Sequence, residues 1–142
     1  MAERAVGLTA PNPPVGVIIV KDGTILSRGW TQPGGSPHAE VHAINQVRNK
    51  SSLKGSTMYS TLEPCSHRGK NPACVDSIIK YKFKNVILSQ KDRNILVNGK
   101  GIRKLRSKGI KVTQINFGNN INKFNNVFFN SIKKSKPYVC LK

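Results

Sequence analysis

His38, Cys65 and Cys74, with Glu40 two residues beyond the histidine, are the residue types in this 142-residue chain best suited to chemistry. One imidazole and two thiolates make a three-ligand zinc set that leaves a fourth position for water. Zinc in such a set lowers the pKa of water so that hydroxide is available near neutral pH. Glu40 is the candidate acid/base. It could take a proton from that water and give one to a substrate. In mid-helix, an offset of two residues turns His38 and Glu40 about 200° apart, so the two side chains would diverge. They converge only if a helix begins at His38, which Pro37 favours. Helix starts at His38 and Cys74 would also bring two N-terminal dipoles to bear on thiolate or hydroxide.

Other readings of these residues stay open at this level. His42 follows His38 at i+4, as in a H-E-x-x-H zinc protease helix, but the glutamate is misplaced and two cysteines are left unexplained. His67 lies between the cysteines and could replace one ligand. A structural zinc site explains the cysteines but not Glu40. A disulfide framework is disfavoured, because the chain has three cysteines and no apolar leader. The third, Cys140, reads as a strand residue.

The elements that must position this set follow from pattern. Asn12-Pro13-Pro14 breaks any helix before it. Val15 to Val20 (VGVIIV) reads as a strand buried on both faces. Asp22-Gly23 is a hairpin turn, and Thr24 to Trp30 the returning strand. Residues 31–37 (TQPGGSP) form a loop. His38 to Lys50 has helical spacing, with Val41, Ile44 and Val47 on one side. Ser56 to Leu62 is a strand that runs into Glu63-Pro64-Cys65, which places the cysteine just past a strand end, where open α/β sheets usually carry their sites. Further expectations are a helix over 73–82, a strand over 85–89, a loop over 92–101, a short basic helix over 102–108 ended by Gly109, a strand over 110–115, a helix over 120–133, and the start of a last strand at 138–142. This order argues an α/β architecture, a single mixed sheet with helices on both faces and an antiparallel first strand.

The length suits one domain, large enough to fold without disulfides. Hydrophobic residues make up 37% of the chain. No apolar run approaches the roughly 20 residues of a membrane span, and no signal peptide is visible. A cytoplasmic protein is expected. The charge is extreme: 24 basic against 6 acidic residues, a net +18. A nucleic-acid partner is one reading. Scattered lysines, abundant asparagine and isoleucine, and the lack of a long basic block favour compositional drift instead. The six acids are Glu3, Asp22, Glu40, Glu63, Asp76 and Asp92, and several fall in or beside the motif segments.

The order His-x-Glu, Pro-Cys, Cys is that of zinc nucleobase deaminases. Eight residues separate Cys65 from Cys74, where cytidine, guanine and transfer-RNA adenosine deaminases usually have two. PNPPVGVIIV at 11–20, PHAEVHA at 37–43, TLEPCSHRGKNPAC at 61–74 and KPYVCLK at 136–142 resemble the deaminase domain of the bacterial riboflavin-biosynthesis deaminase/reductase family. The resemblance covers nearly the whole chain. It implies a cytidine-deaminase-like three-layer sandwich and one Zn2+ per chain, held by His38, Cys65 and Cys74. It implies Glu40 as acid/base, and Asn12, Lys70, Asp92 and Asn94 as substrate contacts. The implied substrate is a phosphorylated pyrimidine, 2,5-diamino-6-(5-phosphoribosylamino)pyrimidin-4-one, deaminated at C2. An amide can read a pyrimidine edge, and Lys70 is a flexible cation suited to phosphate.

Three departures from the family pattern stand out. Thr31 occupies a histidine position that helps hold substrate. The DPNP loop reads Asp92-Arg93-Asn94-Ile95, without its two prolines and their rigidity. Most of the first helix is missing and the chain stops where the reductase would begin, so the reductase is expected to be a separate polypeptide or lost. No membrane partner is expected, and a homo-oligomer is compatible with the sequence. The competing functions are a transfer-RNA-type base deaminase, and a non-catalytic zinc module that binds RNA.

Overall fold

The computed structural model describes residues 1–67, 72–94, 97–116, 125–126 and 128–130. Its five-stranded sheet has the order β2-β1-β3-β4-β5, formed by β1 (Gly16–Lys21), β2 (Thr24–Trp30), β3 (Thr57–Leu62), β4 (Asn85–Gln90) and β5 (Lys111–Gln114). β1 is antiparallel to both β2 and β3, whereas β3, β4 and β5 are parallel. The hairpin at one end and the crossovers at the other are what the mixed pattern of turns and helices predicts. The β1–β2 turn needs positive φ at both central residues, and Asp22 (48°) and Gly23 (75°) supply it.

Three helices connect the strands: α1 (Ala39–Gln46), α2 (Cys74–Lys80) and α3 (Lys100–Ser107). Their apolar sides, through Ala43, Ile44, Val75, Ile78 and Leu105, join one core with Val17, Ile19, Met58, Val86 and Leu88 of the sheet. α1 lies very close to β2. A Cβ at Gly29 would sit 2.5 Å from the Ala39 carbonyl and 2.6 Å from the Ala43 amide, so only glycine lets the start of the helix approach this far. Ser27 reinforces the contact by donating its hydroxyl to the Ala43 carbonyl at 2.8 Å.

The opposite face carries a short 3-10 helix, Ala2–Ala5, whose first residues press on Gly16. Here the expectation for the first strand fails in part. Val17 and Ile19 are fully buried, but Ile18 and Val20 are only half-buried. A continuous β-branched run does not by itself show how deeply each face is covered. Residues 125–126 and 128–130 are helical, within the helix expected over 120–133. The rest of that helix, the strand expected at 138–142, Cys140 and Lys70 lie outside the described residues. Among the described residues no helix is long and apolar enough to cross a membrane.

Candidate active site

His38 is not inside α1 but caps it, with extended backbone angles (φ −63°, ψ 157°), so the helix starts at Ala39. That placement frees the histidine from the helical offset and lets its ring and the Glu40 carboxyl, from the first turn, reach one point. Cys65 arrives from the turn after β3. Cys74 is the first residue of α2, and its amide donates to Cys65 Sγ at 3.3 Å. His38 Nδ1 lies 3.6 Å from Cys65 Sγ and 3.3 Å from Cys74 Sγ. One ligand atom from each of the three residues falls within 4.8 Å of the other two. The two helix starts therefore meet here, as their sequence positions suggest. His67, the alternative ligand, is outside the trio and stands on the wall of the adjoining cavity.

The donor set fits zinc on its chemistry. Both cysteines are free thiols, and an imidazole with two sulfurs at mutual contact matches a three-ligand zinc site with one position left for water. The sulfurs are unequal. A hydrogen bond from Cys74, helped by His38, holds the Cys65 thiol well below its ordinary range. Cys74, hydrogen-bonded to Cys65 and buried, is pushed up. Burial, followed by the nearby Cys65 charge, raises the Glu40 carboxyl to about 7. Glu40 is 4% exposed, and a carboxyl shielded from water in this way can both take and give a proton near neutrality.

A cavity of about 430 Å³ opens beside these groups. His38, Glu40 and Cys65 form part of its wall, and Asn12, Asp92 and Asn94 line it as well. Three of the chain's six acids, Glu40, Glu63 and Asp92, thus border a single cavity. A fourth, Asp76, pairs with Lys104 at 2.6 Å. Asn12 donates to the Gly35 carbonyl at 2.9 Å, which fixes its orientation and leaves further amide capacity. Asp92 accepts the Asn94 amide at 2.8 Å, an Asx turn that constrains the backbone from Asp92 to Asn94. Burial raises the Asp92 carboxyl, and Glu63 adds to the effect.

Thr31 also lines the cavity, but its hydroxyl is already engaged. It donates to the Pro13 carbonyl and accepts the Val15 amide, both at 3.0 Å. At 2% exposure, Thr31 ties β2 to the segment carrying Asn12. Thr31→Val leaves both backbone groups without that partner, so stability should fall by about 1–3 kcal/mol, measured as a lower urea midpoint. An unchanged midpoint would show that the hydroxyl is dispensable. The sequence reading missed Glu63 as part of the cavity. The scarcity of acids, with one placed directly before Pro64-Cys65, was the available signal.

A family model for the cytidine and deoxycytidylate deaminase zinc-binding region matches residues 1–90, which contain His38, Glu40, Cys65 and Cys74. The chain is 45% identical over 129 residues to a diaminohydroxyphosphoribosylamino-pyrimidine deaminase of Buchnera aphidicola subsp. Schizaphis graminum, covering 91% of this chain and 86% of that protein. It is 42% identical over its whole length to the riboflavin biosynthesis protein RibD of Aquifex aeolicus, of which it spans 39%. Among solved structures, a diaminohydroxyphosphoribosylaminopyrimidine deaminase/5-amino-6-(5-phosphoribosylamino)uracil reductase of Thermotoga maritima superposes with a TM-score of 0.88 at 38% identity. That match covers 96% of this chain and 39% of the other.

Proposed function

The chain belongs to the diaminohydroxyphosphoribosylaminopyrimidine deaminases, a branch of the cytidine and deoxycytidylate deaminase family, and from that premise we propose that it hydrolyses 2,5-diamino-6-(5-phosphoribosylamino)pyrimidin-4-one to 5-amino-6-(5-phosphoribosylamino)uracil and ammonia. The observation that carries the reading is the Glu40 carboxyl, buried at the cavity wall beside His38, Cys65 and Cys74. A structural metal site has no use for an almost unexposed acid facing a ligand-sized space.

In this reading His38, Cys65 and Cys74 hold one Zn2+. When bound, the metal supplies the Lewis acidity that makes water acidic enough to be deprotonated near neutral pH. Glu40 accepts that proton and passes it to the ring nitrogen next to the attacked carbon; it then takes the second proton of the former water, from the hydroxyl now on that carbon, and gives it to the departing amine as the C–N bond breaks. Each transfer uses the same carboxyl, and a pKa raised to about 7 keeps both of its forms accessible. Asn12, Asp92 and Asn94, which line the same cavity, orient the pyrimidine. Lys70, outside the described residues, takes the phosphate. A reductase acting on the product is the natural companion activity, on this polypeptide or another.

The test is a turnover assay on the purified, zinc-loaded protein. Ammonia release from the phosphorylated pyrimidine, with no deamination of RNA or DNA oligomers, is expected. Activity on oligomers alone would move the protein to the nucleic-acid deaminases. Absence of turnover on both would leave a non-catalytic zinc module.

A further inference from the structure

Glu63 is the one acid on the cavity whose chemistry the proposed reaction does not use. It is 3% exposed, and a buried carboxylate is costly unless its oxygens are hydrogen-bonded. Here three backbone amides satisfy it. Oε2 accepts from Gly99 at 2.9 Å and from Asp92 at 3.2 Å, and Oε1 accepts from Ile102 at 3.2 Å. Gly99 and Ile102 belong to the start of α3, which has no side-chain cap of its own. Glu63 therefore supplies the anion that a helix start attracts, from a distant part of the chain. Asp92 is at the other end of the same loop, beside the cavity.

The backbone of Glu63 is equally fixed. Its amide donates to the Gln90 carbonyl at 2.9 Å, which ties it to the end of β4. Pro64 and Cys65 follow at once. The first turn of α3 rests directly on this turn, because a Cβ at Gly101 would come within 2.2 Å of the Pro64 carbonyl and 3.1 Å of Glu63 Oε1. A single residue thus joins the Cys65 turn, the end of β4, the Asp92 loop and α3.

We propose that Glu63 is a positioning residue: its carboxylate fixes Asp92, Gly99 and the first turn of α3 against the segment carrying Cys65, and so sets where Asp92 and Asn94 stand relative to the metal ligands. The consequence for substrate rests on the deaminase reading, but the tether itself does not. Hydrogen bonds to a carboxylate are stronger than neutral ones, so three of them from one side chain are a firm hold on the Asp92, Gly99 and Ile102 backbone.

Glu63→Gln tests this at constant size. The carboxamide has one oxygen and one NH2, so either orientation sets an N–H donor against a backbone N–H. Hydrogen exchange should quicken by roughly tenfold or more at the Asp92, Gly99 and Ile102 amides, while zinc stays at one per chain. KM should rise by about tenfold with kcat within about threefold. Asn94→Ala should raise KM less in the Glu63→Gln background than in the parent. Unchanged exchange at the three amides overturns the tether. Zinc loss in Glu63→Gln, with those amides still protected, would make Glu63 a support of the metal turn instead. If Glu63→Gln does not fold, Glu63→Asp, one methylene shorter with its charge kept, should show a smaller rise in exchange at the same amides; no rise overturns the proposal. If the parent protein turns over no pyrimidine, the exchange result still decides the tether, so the two failures are distinguishable.

Discussion

Glu40→Gln should keep its zinc at one per chain and lose turnover by about 10³-fold or more, since in the proposed mechanism it removes the group that moves every proton. The size of the effect follows from the site. Glu40 is almost fully buried beside the ligand trio, and no other carboxyl is placed to replace it. Glu63 is held by three amides, and Asp92 is turned toward the Asn94 amide. Glutamine keeps the shape and hydrogen-bonding reach of the side chain, so metal content and melting temperature should change little. The check pairs metal analysis with steady-state kinetics. A variant with full zinc and parental kcat would remove Glu40 from the chemistry. One that loses zinc would make Glu40 a support for the ligands.

Cys74→Ser should be the most damaging change to the metal centre. A serine hydroxyl stays protonated where a thiolate would bind, and the set falls from three ligands to two. Affinity should fall by at least about 10²-fold, more than outer supporting partners typically contribute. The protein should emerge from dialysis largely free of zinc and inactive. Cys74 is 1% exposed and opens α2, and serine nearly matches its volume, so circular dichroism should show the parental fold. Zinc also stabilises any fold that binds it, so added zinc should raise the melting temperature of the parent more than that of the variant. A fully loaded Cys74→Ser protein would require another ligand, with His67 on the cavity wall the first to examine.

What could be read from the chain, and what could not, follows a physical line. Features fixed by neighbours in sequence were legible. Thr24–Trp30 has the expected limits, because Asp22-Gly23 forces the reversal locally. The convergence of His38 and Glu40 followed from the single requirement that the helix begin at the histidine; α1 begins one residue later, at Ala39, with His38 as its cap, and the two side chains still meet. Features fixed by partners far away were not. α3 starts at Lys100, two residues before its apolar pattern suggests, and the group that stabilises that start lies 36 positions from Gly99. The hydroxyl of Thr31 bonds backbone 16 and 18 residues away, so its type alone suggested an altered substrate contact rather than a structural tie. The half-covered face of β1 depends on what lies above it, which residue type does not specify.

The crowding of acids around one cavity has a consequence at distances beyond any contact. With Glu40, Glu63 and Asp92 turned inward and Asp76 paired, little negative charge remains outside to offset 24 lysines and arginines. The charge of the molecule as a whole, +18, is therefore left largely unbalanced away from the site. Encounter with an anionic ligand is speeded by that field and slowed by salt, so capture of a phosphorylated ligand should depend on ionic strength more than the chemical step does.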